Sequence, residues 1–164
     1  MEPCITTSPT TWRVLAVDDE PDNLHLVLAT LRFRGAVVEG VRGGAEALDA
    51  LDTFKPNVIL LDLSMPKVSG WEVHRTIRSR PDLDGVPVIA LTAHAMPNDE
   101  ARVKAAGFDG YITKPFRVQT LLADVARFVE AFLASRPRPK EGSNADVLLL
   151  QQPTHTTKII VSHA

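Results

Sequence analysis

A single cysteine, Cys4, stands in the 164 residues, which excludes an internal disulfide and any zinc site built on cysteines. Charge of one sign is missing too: 18 basic side chains face 20 acidic ones, a net charge of −2. The broad cationic surface of a nucleic-acid binder is therefore absent, and no direct DNA binding is expected. No apolar run approaches the roughly 20 residues a membrane span requires. The opening MEPCITTSPT has an acid at its second position and no basic-then-apolar pattern. A secretory leader is not read there, and a cytoplasmic location without membrane contact is expected. What is present is ordinary globular composition, 45% apolar and 23% charged, over about one domain length.

Proline placement marks the ends. Of twelve prolines, Pro3, Pro9, Pro137, Pro139 and Pro153 fall outside the stretch from Trp12 to Ala134 that carries periodic apolar patterning. Residues 1–11 are expected to be a flexible N-terminal arm, residues 12–134 one folded domain, and residues 135–164 a linker and C-terminal tail. The linker RPRPKEGSN suits neither helix nor strand. Two apolar runs follow, at 147–150 and 159–161. They are too little chain for a core of their own. Docking on the domain, pairing with another chain and remaining loose are the alternatives for them.

Between those ends, strand-like and helix-like segments alternate. Val14 to Val17 is a short apolar run ending in acids, followed by Leu24, Val27, Leu28 and Leu31 at helical spacing. Val37 to Val41 reads as a second strand, and Ala47, Leu48, Leu51 and Phe54 as the next helix face. Val58 to Leu61 is apolar on both faces, as a strand between two helix layers must be. Trp71 to Arg80, Val88 to Leu91, Pro97 to Ala106, Gly110 to Ile112 and an apolar stripe from Leu121 to Phe132 complete five strand–helix units. Such a chain folds as an α/β protein with a doubly wound five-stranded parallel sheet. Ligands of open parallel sheets bind outside the carboxyl ends of the strands. There the sequence places Asp18, Asp19, Asp62, Thr92 and Lys114, while the second strand contributes nothing of that kind.

Three carboxylates at the ends of neighbouring strands repel one another unless a cation joins them. An all-oxygen, partly open site suits Mg²⁺, which keeps several waters and takes one or two protein carboxylates. With Lys114 as a point charge and Thr92 as a hydroxyl, the set cradles a phosphoryl group. A carboxylate so placed can itself be the nucleophile. The chemistry expected is phosphoryl transfer onto Asp62.

The segments VLAVDDEPDN, VILLDLSMPKVSGWEV, VIALTAH and GYITKPF resemble the receiver domain of bacterial two-component response regulators. The resemblance spans residues 13–135, about three quarters of the chain, and is greatest to the stand-alone, CheY-like kind and to hybrid-kinase receivers. It implies a flavodoxin-like (βα)5 fold with strand order 2-1-3-4-5 and a C-terminal extension. Asp62 would accept the phosphoryl group from a sensor histidine kinase or phosphotransfer protein. Asp18, Asp19, Asp62 and the Ser64 backbone carbonyl would hold Mg²⁺, with Asp18 acting largely through water. Thr92 and Lys114 would hold phosphoryl oxygens, and Thr92 and Tyr111 would form the switch. Ser64 and His94 would tune the lifetime of the acyl phosphate. The Lys114–Pro115 bond matches one that is cis in the family. The resemblance further implies a phosphoacceptor that is not an enzyme in the ordinary sense. It would signal through its fourth helix, fifth strand and fifth helix, about residues 95–134, to a downstream protein target. A homodimer would use that surface or the tail. No output domain is read after Ala134, so a single-domain regulator is expected.

Plainer readings compete. Asp18 and Asp19 could cap the first helix, Tyr111 could be a static strand aromatic, and His25 and His74 are read as exposed or packing residues. Two other functions use the same fold. An aspartyl-nucleophile, Mg²⁺-dependent phosphohydrolase would need an acid two residues after Asp62, where Ser64 stands. A phosphorylation-independent scaffold would not need the full acceptor set.

Overall fold

The computed structural model describes residues 5–93 and 96–136. Cys4, His94 and the two apolar runs of the tail lie outside the described residues. The elements are β1 (Arg13–Val17), α1 (Pro21–Phe33), β2 (Val37–Val41), α2 (Gly44–Thr53), β3 (Val58–Asp62), α3 (Gly70–Arg78), β4 (Val88–Thr92), α4 (Pro97–Ala105), β5 (Gly110–Thr113) and α5 (Val118–Ser135). All strand pairs are parallel, in the order β2-β1-β3-β4-β5. The chain winds one way from β1 and the other way from β3, which opens a crevice above the carboxyl ends of those two strands.

β3 and β4 are buried at every position, whereas the edge strand β2 begins exposed at Val37. Alternate residues serve opposite faces. Val14, Ala16, Leu60, Ile89 and Leu91 meet Val27 and Leu31 of α1 and Val125 and Val129 of α5. Leu15, Val17, Ile59, Leu61 and Ala90 meet Leu51 of α2, Val73 and Ile77 of α3 and Val103 of α4. Each fully buried Leu, Ile or Val in these two layers contributes about 1.5–3 kcal/mol.

Two local features differ from the sequence expectation. α3 starts at Gly70, one residue before Trp71, because Ser69 and Glu72 form a reciprocal capping box. The segment 5–11 does not run as the flexible arm expected of it. Ile5 is buried in the layer under α1 and α5, Pro9–Thr11 forms a 3-10 turn, and the fully buried Trp12 donates its indole N–H to the Thr6 carbonyl at 2.8 Å. A buried indole needs an acceptor, and the preceding residues fold back to supply it.

His74 of α3 is a packing residue. It is 4% exposed and stacks on Phe108 with ring centroids 3.8 Å apart, and its Nε2 has no hydrogen-bond partner among the described residues. Burial, helped by the Arg78 charge, pushes its pKa down to about 4. An unfolded imidazole titrates near 6.5, so between those values the unfolded chain holds a proton the folded chain does not. The contribution to stability is complete above pH about 6.5 and is lost as the pH falls toward about 4. Denaturant unfolding across that window is expected to show a loss approaching about 3 kcal/mol that His74→Phe lacks. Coincident pH slopes for the two proteins would contradict it.

Candidate functional site

The pocket is assembled by the register of β1 against β3. Val17 pairs with Leu61, so Asp18, just past β1, stands beside Asp62 at the end of β3. Both carboxylates are buried, at 1% and 2% exposure, and Asp19 is half-buried. One oxygen from each of the three lies within 4.8 Å of the others. Asp18 extends the sheet through its N–H to the Val41 carbonyl at 3.2 Å, and its Oδ1 accepts the Glu20 N–H at 3.0 Å. The N-cap of α1 is Glu20, with Pro21 next in the chain, and its side chain makes no capping bond. Asp18 therefore shapes the turn into α1 rather than capping the helix.

Lys114 enters from the other side, just past β5. Its Nζ lies 2.7 Å from Asp18 Oδ2 and 2.9 Å from Asp62 Oδ2, with the side chain 14% exposed. Its N–H donates to the Thr92 carbonyl at 2.8 Å, which ties the lysine to the end of β4. Thr92 is itself buried, and the Lys114–Pro115 peptide is cis. The free side of Asp62 is fixed by the loop that follows, since its Oδ1 accepts the Ser64 N–H at 3.0 Å. Gly70 closes that loop by close approach, with no room for a Cβ against the Asp62 carbonyl.

The electrostatics are those of an undersupplied anion cluster. Burial raises the pKa of Asp18 above the usual carboxylate range, with Lys114 pulling it down and Asp62 pushing it up. Asp19 is raised as well, first by burial and then by the neighbouring Asp62 carboxylate. For Lys114 burial lowers the pKa, but Asp18 and Asp62 outweigh it and the ammonium is held charged. Three carboxylates against one ammonium leave the pocket two charges short. Asp18 Oδ2 is buried with the Lys114 ion pair but no well-directed hydrogen bond. Hard oxygen donors, net negative charge and an under-satisfied buried oxygen fit a divalent cation such as Mg²⁺.

Of the remaining residues marked in the sequence, Ser64 is exposed beside the pocket, and His94 lies outside the described residues. Tyr111 is half-buried on β5, 6.4 Å from the Phe128 ring, and the Glu100 carboxylate near its hydroxyl raises its pKa. It borders a groove of about 580 Å³ between α4, β5 and α5, lined also by Glu100, Phe116, Thr120, Arg127 and Phe128. Sequence reasoning passed over Arg42, whose guanidinium donates to the Asp19 carbonyl at 3.3 Å.

A lysine from β5 set between buried acids of β1 and β3, on a sheet of this order, defines a CheY-like signalling fold. The family model described as the response regulator receiver domain matches residues 14–126, and the chain belongs to that family. It is a receiver-domain response regulator of two-component signalling. It is 34% identical to the polar-differentiation response regulator DivK of Brucella ovis over 119 residues, 73% of this chain and 97% of that protein. It is 35% identical to the sensor protein GacS of Pseudomonas syringae pv. syringae over 136 residues, covering 81% of this chain but 15% of GacS. Among solved structures, the chemotaxis response regulator CheY4 of Vibrio cholerae superposes with a TM-score of 0.67 at 34% identity, over 70% of this chain and 96% of that one. No helix among the described residues is long and apolar enough to cross a membrane.

Proposed function

We propose that Asp62 accepts a phosphoryl group from a phosphohistidine of a sensor histidine kinase or phosphotransfer protein, in the cytoplasm, and that the product acts on a downstream protein. The observation that carries this reading is the position of Lys114 Nζ, 2.7 and 2.9 Å from the buried Asp18 and Asp62 carboxylates. An Asp62 oxygen attacks phosphorus in line. The P–N bond to the donor imidazole breaks, its electron pair stays on nitrogen, and the new bond is P–O. Asp18, Asp19, Asp62 and the Ser64 carbonyl would hold Mg²⁺, which neutralises charge on the equatorial oxygens when bound. Lys114 stays in contact as its Asp62 partner becomes an acyl phosphate and supplies a fixed cation to the new phosphoryl oxygens. Thr92, at the end of the adjacent strand β4, supplies a hydroxyl from the same rim. The exposed Ser64 stands where a phosphohydrolase would carry its acid, so turnover of external phosphomonoesters is not expected.

Signalling follows from charge added at the pocket. A Thr92 side chain drawn toward the phosphoryl group vacates space toward β5, where Tyr111, paired with Ala90 two residues before Thr92, is the switch residue. The groove between α4 and α5 is then the surface whose shape depends on phosphorylation. Self-association, if this surface supports it, would use the same face. Beryllofluoride with Mg²⁺ mimics the phosphorylated carboxylate. Its addition is expected to shift amide resonances across residues 96–135, Tyr111 included. Shifts confined to the acidic pocket would contradict the signalling reading.

A further inference from the structure

The turn after β2 brings no acid to the pocket, yet it touches both loops that do. On one side Arg42 donates from its guanidinium to the Asp19 carbonyl at 3.3 Å, while its own N–H is held by Glu46 Oε2 at 3.1 Å. The turn is closed by the Ala47 N–H to the Gly43 carbonyl at 3.0 Å. On the other side Gly44, buried at the first position of α2, lies against Val68 in the loop between Asp62 and α3. A Cβ at Gly44 would stand 2.7 Å from Val68 Cβ and equally close to the Val68 carbonyl oxygen. Because one obstructing atom is main chain, no rotamer change relieves the contact; the loop itself must lift. The far end of that loop is pinned by Gly70, whose N–H donates to the Leu63 carbonyl at 3.2 Å.

We propose that Gly44 is a positioning residue for the divalent cation: its backbone contact with Val68 holds the loop 63–69 where the Ser64 carbonyl joins the three carboxylates. Arg42 fixes the opposing Asp19 loop from the same turn. The proposal rests on the metal reading above and adds to it a residue that touches neither the cation nor the phosphoryl group. The conformation of Gly44 is open to any residue, so close approach is what demands glycine here. Small displacements of supporting residues of this kind cost about tenfold or more in metal affinity.

The test compares the full chain with Gly44→Ala and Val68→Ala, titrating Mg²⁺ while following the Ser64 amide resonance, and measuring thermal unfolding without Mg²⁺. Gly44→Ala is expected to raise the Mg²⁺ midpoint about tenfold. Val68→Ala, which removes the Cγ1 that crowds the same position at 2.7 Å, loosens the packing of this loop on Gly44 without adding bulk and should move it in the same direction. Labelling by acetyl phosphate at saturating Mg²⁺ should return to the wild-type rate in both, because the reacting groups are untouched. Midpoints equal to wild type, with only the melting temperature changed, would overturn the proposal. Should Gly44→Ala fail to fold, an unshifted midpoint in Val68→Ala overturns it alone. A wild-type chain that gives no Mg²⁺ response contradicts the metal reading itself, and this proposal with it.

Discussion

Asp62→Asn is expected to take up no phosphoryl group from acetyl phosphate or from a cognate kinase with Mg²⁺, while folding as the wild type does. The amide has the carboxylate's shape, and its oxygen can still accept the Ser64 N–H that now meets Oδ1 at 3.0 Å. What it lacks is the anionic oxygen that forms the P–O bond, so the loss is of nucleophilicity rather than geometry. The substitution also removes one of three mutually repelling acids, leaving Lys114 paired with Asp18 at 2.7 Å. Stability without metal should therefore be close to wild type or higher. Phosphoprotein gels with ³²P-labelled donor, beside denaturant melts, check both halves. Persistent labelling at an unchanged rate would place the acceptor elsewhere.

Lys114→Met should cost about 4 kcal/mol of folding stability without Mg²⁺, a large share of what a domain this size has. The ammonium is the cation that the described residues place against Asp18 and Asp62, both nearly inaccessible to water. Removing it leaves buried like charges uncompensated, which is far more damaging than losing an exposed pair. Methionine keeps most of the stem's packing, so the effect isolates the charge. Added Mg²⁺ should restore more stability to Lys114→Met than to the wild type, since mass action favours the state whose acids most need a cation. Urea titrations of both proteins with and without Mg²⁺ measure this. Equal stability in the absence of metal would show that the acids are relieved by protonation or solvent instead.

The sheet was legible because β1, β3 and β4 each carry four consecutive residues drawn from Val, Ile, Leu and Ala, whereas β2 is interrupted by Glu39 and Gly40 and β5 is only Gly-Tyr-Ile-Thr. Asp18, Asp62, Thr92 and Lys114 could be located because they immediately follow or end those runs, and strand ends converge in a doubly wound sheet. Where β3 adjoins β1, as the strand order has it, two of the acids must meet. Ser69 and Glu72 form an S-x-x-E pattern whose capping box starts α3 at Gly70, one residue before the apolar Trp71. The packing of residues 5–11 was not readable. Their composition is that of an arm, and only the burial of Trp12 explains why they fold back. Arg42 and Gly44 were equally silent, since their roles depend on contacts across 20 residues or more of sequence.

The central claim is that the buried Asp62 becomes an acyl phosphate. Incubation with acetyl phosphate and Mg²⁺, followed by borohydride reduction and peptide mass mapping, tests it directly, because hydride converts an aspartyl phosphate to homoserine. The expected result is homoserine at position 62, dependent on Mg²⁺. Homoserine at Asp18 or Asp19, or an unmodified Asp62 under conditions that label the protein, would contradict the account.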